Sequence, residues 1–271
     1  MNPNSTWNAQ VKVKLDEINS RFYRQARVAG TSAFTHGRKT KVAVVLIHGL
    51  FMNENFFSES VPAMFDQGFN VFNLTLPGHE LGQTGEVEKD FRKWTLYFES
   101  MLELAHTQGE KVVVIGHSIG GGLALLAAQK KSVDALVLFQ PALKPTSFVK
   151  GMATIGQEWK RFRSGDARLH FMVGTAETAF DFFKSIPDLS QIPLSVPTLL
   201  YSSNVDLVVS SAAQLKFAER NPQTIELVRH FQVHMYNPMS DPAHLSRVSE
   251  FIRACRAGKF ETKDTEDCHC E

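Results

Sequence analysis

The apolar positions of this chain alternate between two periods. "KVAVVLIHG" (41–49) is an unbroken apolar run stopped by glycine, as expected of a strand covered on both faces of a parallel sheet. "FNVFNLTLPG" (69–78), "KVVVIG" (111–116) and "VDALVLFQP" (133–141) repeat the pattern, and "VPTLLYSSNVD" (196–206) and "TIELVRHFQV" (224–233) extend it. Between these runs the period lengthens. Val11, Leu15, Ile18 and Phe22 predict an amphipathic helix over 7–27, and Phe91, Trp94, Phe98, Met101, Leu102 and Ala105 share one face of a helix over 88–108. "FSESVPAMFDQG" predicts a short helix ending at Gly68, and "LALLAAQKK" (123–131) predicts another. "DPAHLSRVSEFIRAC" predicts a last helix with Asp241 as N-cap and Pro242 at its first position.

This alternation predicts an α/β fold, a mostly parallel central sheet with helices on both faces. The rhythm breaks between Ala142 and Leu194, where aromatic residues sit among charged ones and no buried-strand run occurs. That segment (142–194) is expected to be a helical cap insertion over one end of the sheet, splitting the core into 41–141 and 195–258. Residues 1–40 form the N-terminal helix and lead-in, and the polar, acidic end (259–271) is expected to be a flexible tail.

Composition narrows the partners. With 271 residues and 43% apolar content the chain can bury one large core. Its 29 Lys and Arg nearly balance 28 Asp and Glu, which leaves no field to attract nucleic acid or an anionic membrane. A small, roughly neutral molecule is the expected partner. No run of about 18 apolar residues predicts a transmembrane helix, and the first residues do not read as a secretory signal. Three cysteines, an odd number, fit free thiols in a reducing cytoplasm. Cys268, His269 and Cys270 are adjacent and poorly spaced to close a zinc site, so no metal is expected. The glycosylation patterns at Asn4 and Asn73 read as chance. No phosphate-binding loop or dinucleotide fingerprint is present, and no cofactor is implied.

The candidate chemistry centres on "GHSIG", which fits G-x-S-x-G behind a buried strand and ahead of a helix. A turn tight enough to hold up Ser118 strains its backbone, and a side chain at Gly116 or Gly120 would collide with its neighbours. The helix start behind the serine supplies unpaired N–H groups, including that of Ile119, suited to a developing oxyanion. A serine hydroxyl needs a histidine to take its proton and an acid to orient that histidine. Asp206 follows the strand "PTLLYSS" at its carboxyl end, where site residues collect in α/β sheets; the competing reading is a turn cap. Asp134 precedes its strand and would face the opposite edge. His230, His234 and His244 all follow Asp206. His230 lies inside a strand and His244 at the third position of the last helix, whereas His234 precedes a loop from which it could reach back. The second oxyanion donor is the N–H of Leu50 or Phe51 in "HGLFMN"; His48 and His117 read as packing or supporting residues.

These pieces resemble the α/β-hydrolase superfamily over about Lys41 to Ala254: "LIHGLF", "LPGHE", "GHSIGG", "PTLLYSSNVDLVV" and the closing "HMYNPMSDPAHLSRVSEFI". The layout looks most like the monoglyceride-lipase, carboxylesterase and serine-aminopeptidase branch. In that family the histidine usually stands several residues before the proline that opens the last helix and about 28 after the acid, relations that His234 meets and His244 does not. Two departures are visible: "GHE" and Thr75 where many members have "GHG" and Asp, and Val233-His234 where many have Gly-His. The resemblance implies a catalytic Ser118, Asp206 and His234, with Ile119 and Leu50 or Phe51 as the oxyanion hole. The expected activity is hydrolysis of a carboxylic ester with a small, apolar acyl or aryl group, through an acyl-enzyme. The same triad could serve a thioesterase or peptidase, and the fold alone could serve a non-catalytic binding protein.

Overall fold

Side-by-side pairing of the apolar runs builds a seven-stranded sheet in the computed structural model, which describes residues 3–23, 30–80, 90–151, 180–184, 186 and 188–260. The strands are β1 (Ser32–Phe34), β2 (Thr40–Ile47), β3 (Asn70–Leu74), β4 (Gly109–His117), β5 (Ala135–Phe139), β6 (Thr198–Ser203) and β7 (Ile225–His230). Their order is β1-β3-β2-β4-β5-β6-β7, with every pairing parallel except that of β1 with β3. The helices are α1 (Pro3–Phe22), α2 (Val61–Asp66), α3 (Phe91–Gln108), α4 (Ile119–Gln129), α5 (Ser211–Arg220) and α6 (Pro242–Ala257).

The sheet is buried on both faces, which is why its strands read as continuous rather than alternating apolar runs. Ala43, Val45, Ile47, Val112 and Val114 point into one core with residues of α3, α4 and α5. Val42, Val44, Leu46, Val113 and Ile115 point into the other, with α2 and α6. Each fully buried Val, Ile or Leu stabilises the fold by roughly 1.5–3 kcal/mol, so the two cores dominate its energetics. The N-terminal helix covers part of the first core. Val11, Leu15 and Ile18 of α1 join the first core against α3, and Trp7 Nε1 donates to Gln108 Oε1 at 2.7 Å.

Several boundaries differ from expectation, each for a physical reason. Helix α1 runs Pro3–Phe22 rather than 7–27; Tyr23 turns its hydroxyl to the Thr75 carbonyl, and residues 24–29 lie outside the described residues. Helix α4 starts at Ile119, four residues before the expected 123, because Gly120, Gly121 and Gly122 are helical despite their poor propensity. Their smallness is a packing need: a Cβ on Gly120 would penetrate the Ile47 carbonyl oxygen, and one on Gly121 would lie 2.9 Å from Pro141 Cβ. Strand β7 stops at His230 rather than 233. Strand β1 is too short to leave an apolar run and was not expected. The final helix opens with Asp241 as its cap and Pro242 first, as predicted.

Most of the expected cap insertion, residues 152–179, lies outside the described residues, as do 261–271 with Cys268, His269 and Cys270. At its edges residues 147–151 and 180–184 are helical, and Pro145 bridges Val209. Among the described residues, no helix is long and apolar enough to cross a membrane and no group of side chains is arranged to hold a metal. Asn73 is buried in β3, where its amide donates to the Glu54 carbonyl at 2.9 Å, so it offers no glycosylation site. Burial pushes the Cys255 thiol up to about 12, which makes it inert packing.

The glycine packing gives a direct prediction. Gly120→Ala is expected to lower stability by about 1–3 kcal/mol or more, because the new methyl must push apart β2 and α4. A drop in the urea midpoint at unchanged slope would show it, and an unchanged midpoint would refute the close approach.

Candidate active site

Every strand from β2 to β7 delivers its carboxyl end to one edge of the sheet, and the polar residues just beyond those ends meet there. Ser118 follows β4 at the turn into α4, with φ 51° and ψ −115°. This left-handed conformation is uncommon for a residue with a side chain and is held by three main-chain bonds. Its N–H donates to the Phe139 carbonyl at 3.0 Å, and its own carbonyl accepts from Gly122 at 3.1 Å and Ala142 at 2.9 Å. Gly116 permits the turn, since a Cβ there would lie 2.6 Å from the Gly120 oxygen.

His234 joins Ser118 to Asp206. His234 Nε2 lies 2.9 Å from Ser118 Oγ, and Nδ1 lies 2.7 Å from Asp206 Oδ2. A carboxylate oxygen can only accept here, so Nδ1 carries the proton and Nε2 is left to accept the serine hydroxyl. The other carboxylate oxygen, Oδ1, accepts from the N–H groups of Val208 at 2.7 Å and Val209 at 2.9 Å. Turn cap and partner of the histidine are therefore both true of Asp206, one oxygen for each. Its side chain is 1% exposed, which keeps water from competing for either oxygen.

The other candidates fall elsewhere. His230 ends β7, where its ring accepts the Gln232 N–H at 3.3 Å, and His244 is buried edge-on against Tyr201 at 5.3 Å. Asp134 accepts from the Val112 N–H at 2.7 Å near the start of β4, remote from the carboxyl ends. Ile119 opens α4, so its N–H has no acceptor within the helix. Ile119, Leu50 and Phe51 line one small cavity together with Ser118 and His234. Phe51 is itself in the left-handed region at φ 61°, where the loop after β2 turns.

That loop is tied down by a buried hydroxyl network. Thr75 Oγ1 donates to Glu54, Thr31 Oγ1 receives the Thr75 N–H at 2.8 Å, and the Thr31 and Tyr97 hydroxyls meet at 2.6 Å. Thr75, one of the departures from the family pattern, thus anchors Glu54 three residues after Phe51. His48 Nδ1 donates to the Gly49 carbonyl at 2.7 Å while Nε2 accepts the Leu76 N–H at 2.9 Å. Both nitrogens are used by the neutral ring, and burial holds its pKa well below the ordinary histidine value.

A second set of contacts was invisible in the sequence. The carbonyls of Gln232, Val233 and His234 each accept from a side chain at the carboxyl end of a different strand. Ser203 Oγ donates to Gln232, Gln140 Nε2 to Val233 at 3.3 Å, and His117 Nε2 to His234 at 2.7 Å. Gln140 is fully buried at φ 41°, an unusual polar residue at a strand end, and that is the only trace it leaves. His117, read as a supporting residue, is neutral because burial and the neighbouring His234 disfavour its charge.

The buried histidines make stability pH-dependent. Burial lowers His79 and His230 to about 4, below the unfolded value of about 6.5. Between those values only the unfolded chain binds the proton. The contribution is therefore intact above about pH 6.5 and lost as pH falls toward 4, by about 1.4 kcal/mol per pH unit per histidine. The urea midpoint is expected to fall between pH 7 and pH 5, and His79→Gln to shallow that fall; equal midpoints at the two pH values would contradict it.

Comparison with known proteins agrees with this fold. Residues 42–172 match the family model described as the alpha/beta hydrolase fold. A Mycoplasma pneumoniae protein named "Putative esterase/lipase 2" is 30% identical over 108 residues, and the match spans 39% of this chain and 39% of that relative. The monoacylglycerol lipase of Paleococcus ferrophilus superposes with a TM-score of 0.61 at 17% identity, over 83% of this chain and 98% of that one. A thermophilic esterase from Thermogutta terrifontis gives 0.60 at 18% identity, over 84% and 93%. By its sheet order, its serine turn and these matches, the chain has the α/β-hydrolase fold.

Proposed function

We propose that this protein is a serine hydrolase that cleaves carboxylic esters through an acyl-enzyme on Ser118. The observation that carries the reading is the unbroken hydrogen-bonded chain from Asp206 through His234 to Ser118 Oγ. In the forward step Ser118 Oγ attacks the ester carbon as its proton passes to His234 Nε2, and Asp206 steadies the imidazolium. Negative charge gathers on the carbonyl oxygen, where the N–H of Ile119 and that of Leu50 or Phe51 are the available donors. His234 then returns the proton to the leaving alcohol; a water, deprotonated by the same nitrogen, attacks the acyl carbon, and that proton passes back to Ser118 Oγ as the acid departs.

The names of the relatives, an esterase/lipase, a monoacylglycerol lipase and an esterase, favour an ester over an amide. The apolar lining of the cavity favours an uncharged substrate. A cytoplasmic setting is part of the same reading, supported by the free, buried Cys255. The test is covalent labelling by a fluorophosphonate. One equivalent on Ser118, blocked by prior incubation with a substrate ester, is the expected result; a chain that stays unlabelled is a binding protein on this fold.

A further inference from the structure

The cavity beside Ser118 is small, and its surroundings are unequal. It measures about 80 Å3, against roughly 300–1,000 Å3 for pockets that enclose a drug-sized ligand. A methylene fills about the room of a water, roughly 30 Å3, so the space takes an acyl chain of about three carbons. Ala142, whose N–H holds the Ser118 carbonyl, is buried on one side, and Phe183 lines the same cavity.

The side of His234 is open. Met235 both lines the cavity and is 58% exposed; Val233 is 63% exposed, and Leu207, next to Asp206, is 65% exposed. His234 must face the leaving oxygen to protonate it, so the alcohol lies over this loop and the acyl group points the other way, toward Ala142 and Phe183. We infer that the substrates are esters of a short acid with a larger, apolar alcohol, with Phe183 setting the acyl limit and Leu207, Val233 and Met235 forming the alcohol's seat. This rests on the ester-hydrolase reading and adds to it which half of the ester is large.

Two ester series test it: p-nitrophenyl esters from acetyl to lauroyl, and butyrates of alcohols from methyl to decyl. With the wild type, kcat/KM is expected to fall at least tenfold beyond about four acyl carbons and to rise with alcohol length. Phe183→Ala should move the acyl limit to longer chains and Phe183→Trp to shorter ones, opposite shifts that a damaged fold would not produce. Leu207→Ser should flatten the alcohol series. A wild type that prefers lauroyl to butyryl, or an acyl profile identical in both Phe183 variants, overturns the assignment while leaving the serine hydrolase standing. Absence of both hydrolysis and fluorophosphonate labelling overturns the two together.

Discussion

Replacing Ser118 by alanine is expected to lower kcat for ester hydrolysis by about 10^5–10^6-fold, the scale on which a serine hydrolase loses rate when its nucleophile is removed. The reason is that, among the described residues, Ser118 Oγ is the hydroxyl that His234 Nε2 contacts, at 2.9 Å. The fold should survive. The three main-chain bonds that hold this turn come from Phe139, Gly122 and Ala142 and involve no side-chain atom of Ser118. Alanine meets the same φ of 51° that serine does, so the backbone strain is unchanged. Purified Ser118→Ala with a wild-type melting curve and residual hydrolysis near the uncatalysed rate is the expected pair of measurements. Retention of even a hundredth of the wild-type rate would move the nucleophile elsewhere.

Asp206→Asn is expected to cost about 10^4-fold in kcat while changing the geometry little. The substituted amide oxygen can still accept from Val208 and Val209, so the turn persists. The amide nitrogen then faces His234 Nδ1, and two donors cannot share that line. The ring must put its proton on Nε2, the nitrogen that should accept from Ser118. Activity should return partly at high pH, where hydroxide competes as the base. Asp206→Glu keeps an acceptor but lengthens the arm, and a smaller loss there would separate tautomer control from simple loss of a contact. An Asp206→Asn rate within tenfold of wild type would show that the carboxylate serves the turn alone.

Much of this architecture was legible in the sequence because its causes are local. Val44 and Val113, buried on one face, alternate with Val45 and Val114, buried on the other, and such strands must read as unbroken apolar runs. Gly116 and Gly120 had to be small for reasons of contact distance, and Asp206 had to follow a strand to reach the sheet's carboxyl edge. The choice among His230, His234 and His244 was harder, since one histidine looks like another and only loop position and family spacing separated them. The bonds to the carbonyls of 232–234 could not be read at all. A main-chain acceptor imposes no residue type at its own position, and the donors Ser203, Gln140 and His117 are scattered over three strands. The early start of α4 was missed because packing against Ile47 outweighed the low helix propensity of three glycines.

The grip on those carbonyls separates two kinds of inheritance within a single loop. Because Gln232 and Val233 are held through main-chain atoms, their exposed side chains carry no duty toward the proposed base that follows them. They are free to change while His234 stays in place. A lineage carrying this loop can therefore trade one alcohol preference for another by substitution at 233, or at the exposed Met235, without rebuilding the proton relay. Valine where many members of the superfamily have glycine would then be a record of such a trade.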